Sequence, residues 1–113
     1  MSRTTIEVSM KTNNVDEVLH IITTKMESAG YQQKIVDGET VWAKGDVMLQ
    51  MQCVGAVFTG KSVVIQGWMR DVIMGESNLE GFYGRFPKKK LKNLIDEICT
   101  TITLKNLCKN KIF

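Results

Sequence analysis

The middle of the chain contains four strand-like runs with only two or three turn-forming residues between consecutive runs. The runs cover residues 34–36, 40–44, 47–58 and 62–70. Alternating apolar and polar residues are typical of strands, and Asp37-Gly38, the first connecting pair, is a strong signal for a two-residue hairpin. Because connections this short join antiparallel neighbours, the sequence predicts a meander of four antiparallel strands.

A further alternating run, residues 4–10, precedes the meander, and two segments with helical periodicity complete the chain. The first, which we expect to end before a C-capping Gly30, has one apolar stripe: Val15, Val18, Leu19, Ile22, Met26 and Ala29. The second, which we expect to begin with Pro87 in the first helical position, has another: Leu91, Leu94, Ile95, Ile98 and Ile102.

The predicted order of elements is therefore strand, helix, four strands, helix. Each helix has a single stripe to bury, and one face of the sheet can cover both stripes. We predict one two-layer α+β domain over residues 1–113, with about five antiparallel strands, two helices on one face, and a basic tail at residues 109–113. This order resembles the TATA-binding-protein-like and helix-grip folds, a likeness of topology that implies no function.

Composition places the chain among soluble globular proteins, with 43% hydrophobic and 24% charged residues. Its three cysteines, Cys53, Cys99 and Cys108, are an odd number without metal-binding spacing, so we expect reduced thiols and no zinc site. Residues 1–12 lack the apolar core of a signal peptide, and the apolar runs are far shorter than the roughly 20 residues of a membrane span, so we expect neither element. We therefore expect a cytoplasmic protein.

Residues with catalytic potential are few and scattered. His20 is the only histidine, and the sequence places no serine or cysteine beside it that it could activate. The carboxylates lack the spacing of a calcium loop, and the glycine-containing segments lack the pattern of a phosphate-binding loop. We predict a non-enzymatic protein that needs no cofactor or metal.

The sheet face turned away from the helices is the candidate interaction surface. With residues 59–61 as a three-residue turn, the pattern places four apolar residues on this face: Val54, Phe58, Val64 and Trp68. An exposed apolar patch usually marks an interaction site, and symmetric self-association is its commonest form. We expect a binding or protein-interaction domain, a possible homodimer; the competing interpretation is a monomer with scattered surface apolar residues.

An alternative function is the binding of a small apolar, lipid or anionic ligand by a domain of helix-grip type. In that case Met51, Met69 and Trp68 are expected near an apolar cavity, because methionine lines adaptable apolar surfaces.

Positive charge is concentrated at the C-terminal end. Residues 1–87 have 8 basic and 10 acidic side chains, whereas residues 88–113 have 7 lysines and 2 acidic side chains. Lys88, Lys89 and Lys90 are candidate anion contacts, since cations in a first helical turn oppose the helix dipole unless an anion binds there. The alternative is a solvated helix face, and a pI near 8.8 disfavours nucleic acid as the partner.

Two segments also suggest a family. The residues GWMRD, followed after a short loop by NLEGFYGRFPKKKLKNLIDEI, are similar to the C-terminal half of small uncharacterised bacterial domains, chiefly of Firmicutes. Some of those domains follow a zinc ribbon or accompany membrane segments, neither of which we expect in this chain. The resemblance implies a small bacterial domain without established activity and adds no catalytic residue.

Overall fold

The computed structural model describes residues 3–9, 15–45, 48–73, 75–79 and 85–110, with the side chains of the last segment described from Lys88 to Leu104. The elements are β1 (Thr4–Ser9), α1 (Val15–Ser28), β2 (Gln32–Val36), β3 (Glu39–Gly45), β4 (Gln50–Phe58), β5 (Ser62–Asp71), β6 (Gly75–Ser77) and α2 (Arg85–Asn110). The protein is therefore an α+β domain, as the sequence predicts.

All strands belong to one antiparallel sheet in the order β1-β5-β4-β3-β2. The predicted meander of β2 to β5 is confirmed, and β1 pairs with β5 from Thr4↔Gly67 to Ser9↔Ser62. The short strand β6 continues this edge, because it pairs with β5 over residues 69–71, beyond the end of β1. The sequence does not predict β6, since its three residues contain no apolar alternation.

Both helices pack on the same face of the sheet, where they bury the larger of two apolar cores. From the helices this core includes Val18, Ile22, Met26, Leu91, Ile95, Ile98 and Ile102. From the sheet it includes Val8, Trp42, Val54, Val63, Ile65 and Met69. Most of the two predicted stripes is thus buried, but Val15 and Leu19 of the first are 36% and 39% exposed, and Ile21, outside the predicted stripe, is buried.

Glycines help to determine where α1 and β2 end. Gly30 has a φ of 90°, its N–H bonds to the carbonyl of Glu27, and the N–H of Tyr31 bonds to the carbonyl of Met26. This is the Schellman arrangement, which satisfies carbonyls that the helix leaves open. Asp37 and Gly38 both have positive φ, as a type I′ hairpin requires.

Helix α2 begins at Arg85, two residues earlier than expected, so Pro87 is the third helical residue and not the first. Proline fits there because the first four N–H groups of a helix have no intrahelical partner. Lys88, Lys89 and Lys90 consequently occupy positions four to six. At 26 residues α2 is long, but no helix in the described part of the chain is both long and apolar enough to cross a membrane.

The close approach of α2 to the sheet depends on Gly67. A Cβ atom at this position would lie 2.8 Å from Leu79 Cδ1 and closer still to Ile95 Cδ1. Carbon atoms in ordinary contact are about 3.5–4.0 Å apart. A glycine in β5 therefore makes the space that Ile95 and Leu79 fill.

Candidate functional site

The four residues of the predicted interaction surface lie on opposite faces of the sheet. Val54 is completely buried in the core beneath the helices, and Phe58 packs against the same core. Val64 and Trp68 lie on the other face, where they are the cross-strand partners of Val57 and Cys53. The expectation that all four share one open face is wrong for Val54 and Phe58.

The length of one turn explains the error. The N–H of Thr59 donates to the carbonyl of Ser62 at 2.8 Å, so only Gly60 and Lys61 connect the paired residues. The sequence instead predicts a three-residue turn at 59–61. A shift of one residue in register moves every side chain of a strand to the opposite face. The predicted β4–β5 register is off by one residue, so Val54 and Phe58 lie on the face opposite to that of Val64 and Trp68.

Trp68 lies on the helix-free face but is only 2% exposed. The guanidinium of Arg3 lies 3.6 Å from the centroid of its ring. The same guanidinium donates to Glu39 (3.0 and 2.9 Å), Glu76 (3.0 and 2.8 Å) and Gln66 (3.2 Å). These bonds use all five donors that an arginine has. We call Arg3, Glu39, Gln66 and Glu76 the arginine cap.

Within the arginine cap, mutual hydrogen bonding favours the charged forms of Arg3 and Glu76. The hydrogen bond from Arg3 is the main cause that lowers the pKa of Glu76, and hydrogen bonds to Glu76 and Glu39 raise the pKa of Arg3. The donors of Arg3 and its aromatic contact are thus committed within the domain. The arginine cap therefore covers Trp68 on the sheet face that the sequence predicts to be an interaction surface.

Beneath the arginine cap lies a second, smaller core: Val36, Val41, Ala43, Met51, Cys53 and Trp68. Met51 and Trp68 belong to this core, whereas Met69 belongs to the core under the helices. The three residues therefore do not line one apolar cavity, contrary to what the sequence predicts, because the sheet separates Met69 from Met51 and Trp68.

The described thiols are poor nucleophiles. Burial raises the pKa of Cys53 and of Cys99 to about 11 in each case, so both remain protonated near neutral pH. The thiolate is the reactive form of cysteine. Neither position suits covalent catalysis.

His20 lies in a groove between the two helices, in a cavity of ≈ 220 Å³ lined also by Ile21, Thr24, Lys25 and Thr101. No carboxylate lines this cavity among the described residues, and Lys25 forms an ion pair with Glu97 at 2.7 Å. Within the described segments no group of three potential ligands is placed to hold a metal ion. In the part of the chain that the structure describes, the imidazole of His20 therefore has no acidic partner in this groove to orient it.

A different apolar surface lies at one end of the sheet, where the β3–β4 and β5–β6 connections meet. It consists of Met48, Leu49, Val72 and Ile73, which are 71%, 65%, 51% and 88% exposed. The N–H of Val72 donates to the carbonyl of Leu49 at 3.0 Å, which joins the two loops. We call these four residues the apolar tip.

Sequence reasoning missed the apolar tip, although a signal was present. Both loops contain an aspartate followed by three apolar residues, DVML at 46–49 and DVIM at 71–74. Turns are ordinarily polar, so an apolar run of this kind at a turn indicates a function. The alternation of apolar residues predicts that 47–49 belong to a strand, whereas β4 begins at Gln50.

The three candidate anion-contacting lysines have three different environments. Lys88 is buried, with 3% exposure, while Lys89 and Lys90 are exposed. Only Lys90 lines a described pocket, a cavity of ≈ 170 Å³. The other residues that line it are Ala29, Tyr31, Lys44, Gln52 and Leu94.

Comparison with known proteins adds no relative. No known protein family matches the sequence, and no curated protein or solved structure is significantly similar to it. The surfaces described above are therefore the basis for a functional proposal.

Proposed function

We propose that this chain is a non-catalytic protein-interaction domain that associates with a second copy of itself through the apolar tip. The observation that carries this proposal is the exposure of four large apolar side chains on two adjoining loops. Single exposed apolar residues are normal on any protein, but contiguous ones usually mark an interaction site.

The apolar tip has a defined shape as well as composition. The bond from Val72 to Leu49 joins the loops, and the N–H of Ile73 donates to the Asp71 carboxylate at 2.8 Å. The neighbouring pair Gln50↔Asp71 is the last rung of the β4–β5 ladder. Because the loops are fixed at their bases, a partner can bind with a small loss of loop entropy.

A second copy suits this surface because an apolar patch is complementary to itself in a two-fold contact. Two charged residues that the structure describes at its base are engaged within the domain: Arg70 binds Asp37 at 3.1 Å, and Asp71 accepts the bond from Ile73. A symmetric contact would therefore bring together apolar groups and not two free like charges. Four side chains are fewer than the 20–30 residues per side of a standard interface, so we expect weak association.

Sedimentation velocity over a series of protein concentrations tests the proposal. The wild-type chain is expected to show a weight-average sedimentation coefficient that rises with concentration, and Ile73→Ser to abolish the rise. The matched control is Val57→Ser, because Val57 is also exposed, at 58%, but lies near the end of β4 that is farthest from the apolar tip. A concentration-independent monomer, or equal loss in both variants, would show that the apolar tip is not a self-association surface.

The fold likeness to TATA-binding-protein-like and helix-grip proteins, and the sequence likeness to small bacterial domains, stay predictions that name no partner. The free thiols of Cys53 and Cys99 support a reducing compartment, and we propose the cytoplasm.

A further inference from the structure

We infer that a second site, separate from the apolar tip, binds a small oxyanion of the phosphate class between Lys44 and Lys90. It lies where three parts of the fold meet: the C-terminal end of α1, the β3–β4 pair, and the second turn of α2. Lys44 and Gln52 are direct cross-strand partners there. The inference is independent of self-association.

The chemistry of the lining suits an anion. Lys44 and Lys90 contribute two positive charges and Gln52 an amide, and the described lining contains no carboxylate. Burial is the main reason that the pKa of Tyr31 is raised to about 12, so its phenol remains a neutral hydrogen-bond donor at physiological pH. Hydrogen bonds from charged donors to anions are about twice as strong as neutral ones.

Lys44 is already positioned for this role. Its Nζ donates to the carbonyl of Ala29 at 3.0 Å and lies 5.8 Å from the centroid of the Tyr31 ring. An ammonium has three donors, and the bond to Ala29 uses one of them. The lysine is thus held at the end of α1 with donors still available for a ligand.

The volume limits the ligand class. The cavity has a volume of ≈ 170 Å³. Sites for drug-sized molecules are larger, roughly 300–1,000 Å³. Phosphate, free or as the terminal group of a larger molecule that extends into solvent, fits both the volume and the donors.

Neighbouring lysines allow a matched test with inorganic phosphate. We would titrate ¹⁵N-labelled wild type, Lys90→Glu and Lys89→Glu at constant ionic strength and follow backbone amide shifts. Lys89 is exposed and adjacent to Lys90 but does not line the pocket. In the wild type we expect saturable shifts at residues 29–31, 44, 52 and 90. Lys90→Glu should bind about tenfold more weakly or worse, while Lys89→Glu should change affinity by less than about threefold.

Three results would overturn the inference: no saturable shift, shifts reproduced by chloride at the same ionic strength, or equal weakening by both variants. Equal weakening would indicate attraction to the overall charge and not to a pocket. To separate this site from the apolar tip, Lys90→Glu is also examined by sedimentation, where its concentration dependence should match that of the wild type.

Discussion

Arg3 lies over Trp68, with the guanidinium carbon 3.6 Å from the ring centroid, although 64 residues separate them between positions 3 and 68 in the chain. The ring is thereby covered on the helix-free face, and the guanidinium is fixed by two carboxylates and an amide. The face that the sequence predicts to be an interaction surface therefore contains a second apolar core, which the arginine cap covers.

Removal of the Arg3 side chain should therefore destabilise the domain. We expect Arg3→Ala to lower the free energy of unfolding by about 1–3 kcal/mol, because it uncovers Trp68 and leaves Glu39 and Glu76 without their shared donor. Lys25→Ala is the control, since the Lys25–Glu97 pair is on the surface and such pairs contribute about 0–1 kcal/mol. Urea unfolding measures both, and equal losses would contradict a special role for the arginine cap.

Acid should weaken the arginine cap through Glu76. Its pKa in the folded state is below the ordinary value of 4.5, so its stabilisation is complete above that value and is lost as pH falls through the lower folded pKa. The stability difference between wild type and Glu76→Gln should hence be largest near neutral pH and shrink below about pH 4.5.

Unfolding free energies of both proteins across that pH range give the difference directly. The Arg3→Ala background provides the control, because without the main donor to Glu76 the pH-dependent part of the difference should largely disappear. A difference that stays constant with pH in the wild-type background would show that the Arg3–Glu76 bond contributes nothing to acid sensitivity.

Two glycines of the central hairpin should respond in opposite ways to alanine. Gly67→Ala forces a methyl group against Ile95 and Leu79, and we expect a loss of about 1–3 kcal/mol from overpacking. At Gly55 a Cβ would meet Glu39 Oε2 and the Trp68 ring at 3.6 Å, an ordinary contact distance. Gly55→Ala should be neutral or stabilising by up to about 1 kcal/mol, since alanine has less chain entropy to lose. Thermal unfolding distinguishes the two, and similar values for both would refute the close approach of α2.

Local sequence signals predicted most of this fold because they have local physical causes. Gly30 and the Asp37-Gly38 pair occupy the positive-φ positions expected of them, and most residues of the predicted helix stripes lie in or against the core. The face assignment of Val54 and Phe58 was wrong because it depended on one residue in one turn. No local pattern could reveal that Arg3 reaches Trp68, since that contact exists only after β1 has paired with β5.

The candidate sites were harder to predict, for a related reason. The apolar tip is formed by two loops 23 residues apart at Leu49 and Val72, joined through their backbones. The pocket at Lys90 needs Lys44 from another layer of the fold. In each case the sequence contained the residues, but only the tertiary structure brings them together.

The pairing of β1 with β5 also determines when the domain can be completed during synthesis. Residues 4–9 leave the ribosome before their partners in the sheet, residues 62–67, and Glu76, which binds Arg3, follows later still. Contacts that span such long stretches of chain form slowly, because loop closure costs entropy before any contact is gained. The hairpins of β2 to β5 can form as they emerge, whereas β1 can join the edge of the sheet only after β5 has been synthesised.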